Sequence, residues 1–147
     1  MSKSLVLEKA VKFALRIVKL SRYLSEEKNE YVLSKQILLS GTHIAKFIKD
    51  ATQAESKQVF SGDMQIALKK ASETEFWLLI LHEGEYLDEK PYNSINDDCV
   101  ELIKMLTMSV KTSKENVWNF NSERKFDIYN YVESSRKAQR FKRRADW

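Results

Sequence analysis

Only three glycines and one proline interrupt this sequence of 147 residues. So few chain breakers leave few places to turn, which favours long helices over many short strands. Apolar residues make up 43% of the chain, enough for the core of one domain of this length.

The apolar positions repeat with the period of a helix. Val6, Ala10, Phe13, Ile17, Leu20 and Leu24 recur every three or four residues, the spacing of one buried helical face. This predicts a first helix from about Ser4 to Leu24. Leu7, Val11, Ala14 and Val18 form a second apolar line beside it, wider than one packed seam needs. Ser25 to Asn29 reads as a loop, with Asn29 the expected N-cap of the next helix. That helix spans Glu30 to about Ala54 and presents Leu33, Ile37, Ile44, Ile48 and Ala51. Gly41 inside it weakens the helix and signals close approach of a neighbour.

A third helix is expected from Ser56 to Glu83, with Phe60, Met64, Ala67, Ala71, Thr74, Leu78 and Leu81 inward. Gly84 is the expected stop, in the left-handed conformation that ends helices. Asp88 is the expected cap of a fourth helix, and Pro91 falls in its first turn, where a missing N–H does no harm. Ile95, Cys99, Leu102, Leu106 and Val110 carry that helix to about Ser113. The expectation is an all-α, antiparallel up-down-up-down four-helix bundle over residues 1–114. Residues 115–147 form a basic, aromatic C-terminal extension, read as a fifth helix capped by Ser122 or as a flexible tail.

The formal charge of +4 is unevenly placed. Residues 1–114 hold 17 basic and 16 acidic side chains, residues 115–147 hold 8 and 5. Arg136, Lys137, Arg140, Lys142, Arg143 and Arg144 crowd into the extension, with Phe141 among them and Trp147 beyond. Cations neutralise phosphates and aromatics stack on unpaired bases, so this cluster is a candidate nucleic-acid contact. Lys9, Lys12, Arg16, Lys19 and Arg22 make a second basic stripe along the first helix, with Glu8 close enough to dilute it. The alternatives are an ordinary solvated face and a solubilising C-terminus.

Other chemistry is poorly supported. A di-metal bundle site needs inward glutamates and Glu-x-x-His pairs, but Ser40 and Leu79 precede His43 and His82 by three. Antiparallel packing also sets the two histidines roughly 22 Å apart along the bundle axis. No metal or other cofactor is expected. The single cysteine, Cys99, cannot form an internal disulfide and falls on the core stripe of the fourth helix. Glu73 and Glu75 point to different sides of one helix, so they are no acid–base pair, and ion pairing such as Glu73 with Lys69 or Lys70 is their ordinary use. No phosphate-binding glycine loop or serine elbow is present, and no enzymatic activity is expected. The longest apolar run, Phe76 to Leu81, is far short of the roughly 20 residues that span a bilayer. The N-terminus lacks the apolar core of a signal peptide, and a cytoplasmic location is expected.

Two segments carry a family resemblance. Val32-Leu33-Ser34-Lys35-Gln36-Ile37-Leu38-Leu39-Ser40-Gly41-Thr42 and Ile66-Ala67-Leu68-Lys69-Lys70-Ala71-Ser72-Glu73-Thr74-Glu75-Phe76-Trp77-Leu78 resemble the second and third helices of bacterial bundle proteins encoded in intervening sequences of 23S rRNA genes. Gly84-Glu85-Tyr86-Leu87 and Glu101-Leu102-Ile103-Lys104 extend the likeness, which covers roughly residues 5–114. Where that family usually has Gly-Thr-Ser-Ile-Gly-Ala-Asn, this chain has Gly41-Thr42-His43-Ile44-Ala45-Lys46-Phe47, a departure that alters helix packing or an oligomer contact. The resemblance implies a non-enzymatic homo-oligomer, often a ring-like homopentamer. It also allows a buried glutamate to bond Arg16. A similar bundle, the accessory protein of diversity-generating retroelements, is a basic pentamer that binds nucleic acid and a reverse transcriptase. The expected partners are therefore further copies of the chain and nucleic acid, RNA in preference. A protein-interaction scaffold, using the wide apolar stripe, Trp118 and Phe120, is the alternative.

Overall fold

The computed structural model describes residues 2–113 together with Arg136 and Lys137, and side chains from Leu5 onward within that range. Four helices account for the order: α1 (Ser2–Glu27), α2 (Val32–Thr52), α3 (Lys57–Glu83) and α4 (Glu89–Ser113). No strand occurs among the described residues. None of the described helices is long and apolar enough to cross a membrane.

Cross-helix contacts fix the arrangement. Ile17 meets Gly41 and Ser21 meets Ser34, so α1 and α2 run in opposite directions. Thr74 donates to Ser40 at 2.9 Å between α3 and α2. Ser61 meets Ser113, and Cys99 donates to the Ala71 carbonyl, so α4 returns along α3. Lys9 to Glu101 and Arg16 to Asp98 close the ring between α1 and α4.

The four apolar stripes meet in one core. Val6, Ala10, Phe13, Ile17, Leu20 and Leu24 are all buried, as are Ile37, Ile44, Ile48 and Ala51 of α2. Each large aliphatic or aromatic chain buried this way stabilises by about 1.5–3 kcal/mol. Leu33 and Phe60 are only partly buried and pack on the edge of the core. The second α1 line does not enter it: Val11 is exposed, and Leu7, Ala14 and Val18 are half-buried.

The α1–α2 seam is close because small residues line it. A Cβ on Gly41 would lie 2.8 Å from both γ-carbons of Ile17. Two helical turns away, Ser34 Oγ sits 2.8 Å from Ser21 Oγ and donates to the Ser21 carbonyl at 3.0 Å. Buried hydroxyls are thereby paired where larger side chains would hold the helices apart.

Two helix ends differ from expectation. Asn29 is not the cap of α2. It takes φ 52°, the left-handed conformation in which a short polar side chain is tolerated, and lets the Glu30 N–H reach back to the Leu24 carbonyl. α2 begins later, and the Glu30 carboxylate accepts from the Ser34 N–H at 2.9 Å. At the other hairpin, Gly84 keeps φ −80° and Glu85 takes φ 68°. Gly84 N–H still bonds the Ile80 carbonyl, so the reversal is delayed by one residue. Ser56 does cap α3, accepting from the Val59 N–H at 3.1 Å.

Candidate functional site

The α1 basic residues divide into two groups. Lys9 and Arg16 are half-buried and turn towards α4. Lys9 donates to Glu101 at 2.6 Å, and the bond and the charge of Glu101 hold the ammonium above its ordinary pKa. Arg16 donates to Asp98 at 2.6 Å, to Ser94 Oγ at 3.0 Å and to the Ser94 carbonyl at 3.3 Å. The arginine partner is thus an aspartate of α4, and the bond to a buried glutamate does not form. Lys12 pairs with Glu8 at 3.1 Å along its own helix. Lys12, Lys19 and Arg22 are exposed. The α4 carboxylates dilute the stripe more than Glu8 alone would, a consequence of tertiary packing that spacing on one helix does not carry.

Beside this stripe lies a groove of about 430 Å³ between α1 and the start of α4. Arg16, Lys19 and Tyr23 form one wall, and Leu87, Pro91 and Ile95 the other. Its base is apolar and its rim is basic on the α1 side.

Of the C-terminal cluster, Arg136 and Lys137 are described; Arg140, Lys142, Arg143 and Arg144 lie outside the described residues, as do the aromatic positions from Trp118 to Trp147. Lys137 is exposed. Arg136 meets the bundle at Tyr92 of α4. Its Nε–H and Nη2–H both donate to the phenol oxygen, at 3.3 and 3.1 Å, and its guanidinium carbon lies 4.9 Å from the ring centre.

Tyr92 belongs to a polar cluster between α3 and α4. His82 stacks on its ring, with centroids 4.2 Å apart and planes 5° from parallel. The His82 Nδ1 atom is 2.9 Å from the Leu87 carbonyl, which ties the α3–α4 loop to the cluster. Deeper in, Glu75 is fully buried, and neither carboxylate oxygen has a hydrogen-bond partner among the described residues. Burial pushes its carboxyl up from 4.5 to about 7, against the charge of Arg136, which lowers it. The Asn96 carbonyl oxygen is likewise buried without a partner. Burial, first, and then the charges of Glu75 and Asp98 push the Cys99 thiol well above its ordinary value, so it is a core side chain and not a nucleophile.

Sequence spacing pointed past Glu75. Glu73 takes the ordinary role and pairs with Lys70 at 3.3 Å. Glu75 shares the inward arc with Ala71, Leu78 and Leu79, and this position four residues from Ala71 is the signal that marks it.

A third feature is apolar. Val32 and Leu39 of α2 are 70% and 54% exposed, and Ile66 and Phe76 of α3 are exposed as well. A groove of about 540 Å³ lined by Gln36, Lys69, Ser72, Glu73, Phe76 and Trp77 runs between the two helices.

Comparison with known proteins places the chain. It matches no curated protein. A crystal structure from Bacteroides thetaiotaomicron, described as a protein of unknown function from the S23 ribosomal protein family, is similar at 45% identity and a TM-score of 0.74. The likeness covers 76% of this chain and 99% of that one. The 23S rRNA-intervening sequence protein family matches residues 2–108, and this chain belongs to that family.

Proposed function

We propose that this protein is a non-enzymatic, cytoplasmic homo-oligomer, a ring of five in the manner its resemblance implies, that binds nucleic acid, RNA in preference. The observation that carries the reading is the density of cations in the sequence. Lys9, Lys12 and Arg16 each face a carboxylate, whereas the sequence of residues 136–144 places six cations in nine positions with no acidic residue between them. Exposed ion pairs are weak, so phosphates can still compete for Lys9, Lys12 and Arg16, but the stronger contribution comes from Lys137, Arg140, Lys142, Arg143 and Arg144. Lys19 and Arg22, exposed on α1, extend the basic surface. Repetition of a modest patch around an oligomer raises its avidity without any new contact.

The test is binding of the full-length protein to a labelled structured RNA over a salt series. Replacing Arg140, Lys142, Arg143 and Arg144 with Gln removes four cations, and should flatten the slope of log affinity against log salt by roughly 3–4. An unchanged slope refutes the role of the segment, and absence of binding at low salt refutes the nucleic-acid reading.

A second reading is a protein-interaction scaffold, favoured by the exposed apolar side chains Val32, Leu39, Ile66 and Phe76 on α2 and α3. Apolar patches of this kind mark contacts with other chains. It predicts a mass above that of a monomer by light scattering, lost in Phe76→Glu, with no response to RNA.

A further inference from the structure

The geometry points to a guanidinium site on the α3–α4 edge of the bundle, occupied by Arg136 of the same chain, which fastens the C-terminal segment to the bundle at Tyr92 and senses the charge of Glu75. The inference does not depend on nucleic-acid binding.

Four observations make this a built site. Tyr92 is fully buried, so its phenol oxygen exchanges water for the two N–H groups that Arg136 converges on it. Two donors aimed at one acceptor is guanidinium geometry, which a lysine ammonium does not reproduce. The ring is held still by the His82 stack, and His82 is itself tied to the Leu87 carbonyl, so the acceptor is preorganised. The cation also lies within reach of the ring's negative face. Glu75 of α3 is a carboxylate with both oxygens buried and without a hydrogen-bond partner among the described residues, and its ionised form gains from the charge of Arg136.

Among the described residues, Glu75 couples to Arg136 of the C-terminal segment and, from α4, to Tyr92 and Cys99; around these groups Glu83 of α3 acts on Tyr92, Asp98 of α4 acts on Cys99, and His82 of α3 stacks on the Tyr92 ring. Asp98 is already engaged by Arg16. Arg136 is the cation whose charge acts on Glu75. The coupling is reciprocal: the docked guanidinium favours ionised Glu75, and ionised Glu75 favours docking. Acidification through about pH 7 therefore loosens the fastening, and alkaline pH tightens it.

The experiment follows the Arg136 Nε–H signal in nitrogen-15-labelled full-length protein, assigned by its loss in Arg136→Gln. At pH 8.5 the signal should stand apart from those of exposed arginines, with hydrogen exchange slowed at least about tenfold, as a structural hydrogen bond requires. Lowering the pH through 7 should move it towards the exposed arginines, and Glu75→Gln should abolish that movement. A signal among the exposed arginines at pH 8.5 overturns the site, and movement that persists in Glu75→Gln overturns the role of Glu75. Should Glu75→Gln not fold, the Glu75 carboxyl carbon is titrated in Arg136→Gln instead. Its midpoint must rise above that of the wild type, and an unchanged midpoint overturns the coupling.

Discussion

Replacing Glu75 with Gln should remove most of the pH dependence of stability between pH 5 and 8. In the unfolded chain the carboxyl has its ordinary pKa of 4.5, and in the bundle it is pushed up to about 7. Between those values the folded protein holds a proton that the unfolded chain has released. Stability therefore falls as pH rises through this window and levels off above it. At about 1.4 kcal/mol for each tenfold difference in proton affinity, the whole window corresponds to roughly 3 kcal/mol. No discount for solvent screening applies, because Glu75 is fully buried. With a urea m-value of about 1.5 kcal/mol/M, the wild-type midpoint should drop by roughly 2 M across the window. Glutamine has nearly the same shape and no titrating group, so whatever its amide costs to bury is the same at both ends. The assay is urea unfolding of both proteins at pH 5 and pH 8.5. The difference between the two differences isolates the contribution of Glu75. Parallel pH profiles for the two proteins would refute the buried, unpartnered carboxylate as the source of the effect.

Gly41→Ala should destabilise by about 1–3 kcal/mol, despite the better helix propensity of alanine, because the new methyl lies 2.8 Å from Ile17; urea unfolding checks this, and a gain in stability would show that the seam relaxes at little cost. Asp98→Ala should cost no more than about 1 kcal/mol and lose that difference at high salt, since the Arg16 pair is over a third exposed. Phe13→Ala, at the centre of α1, should cost about 3–5 kcal/mol in the same assay. Cys99 should stay unreactive towards a thiol reagent in the native protein and react at once in urea, because its thiol is buried and raised.

The core was legible because a single periodicity governs it. Each residue assigned to the first apolar line of α1 and to the stripe of α4 is buried, as the helical repeat requires, whereas the second line of α1 stays outside the core. Gly41 was legible too, since a glycine costs a helix stability unless a neighbour needs the room. The hairpin ends were not. Asn29 takes the left-handed turn rather than capping α2, and at the α3–α4 turn the left-handed residue is Glu85, one past the glycine, because backbone hydrogen bonds to Leu24 and Leu81 decide the geometry. The candidate site was half legible. The density of cations near Arg136 is written in the composition. Their partners are not: Glu101, Asp98 and Tyr92 lie 92, 82 and 44 positions from the residues they meet. No local pattern spans such distances. Glu75 shows the same limit, as a carboxylate read for its neighbours in sequence has its character set by burial in the folded bundle and by Arg136.

The seam between α1 and α4 differs in kind from the other three. Every other helix pair is joined by a short turn, so its contacts form at small loop-closure cost. Lys9 to Glu101 and Arg16 to Asp98 must close most of the chain into a loop, and they do so with partly exposed charges beside an open groove. Folding should then proceed by zipping three successive hairpins, with the ring shut last. The same seam should be the first to part in native-state hydrogen exchange, and added salt should speed its opening before it touches the rest of the bundle.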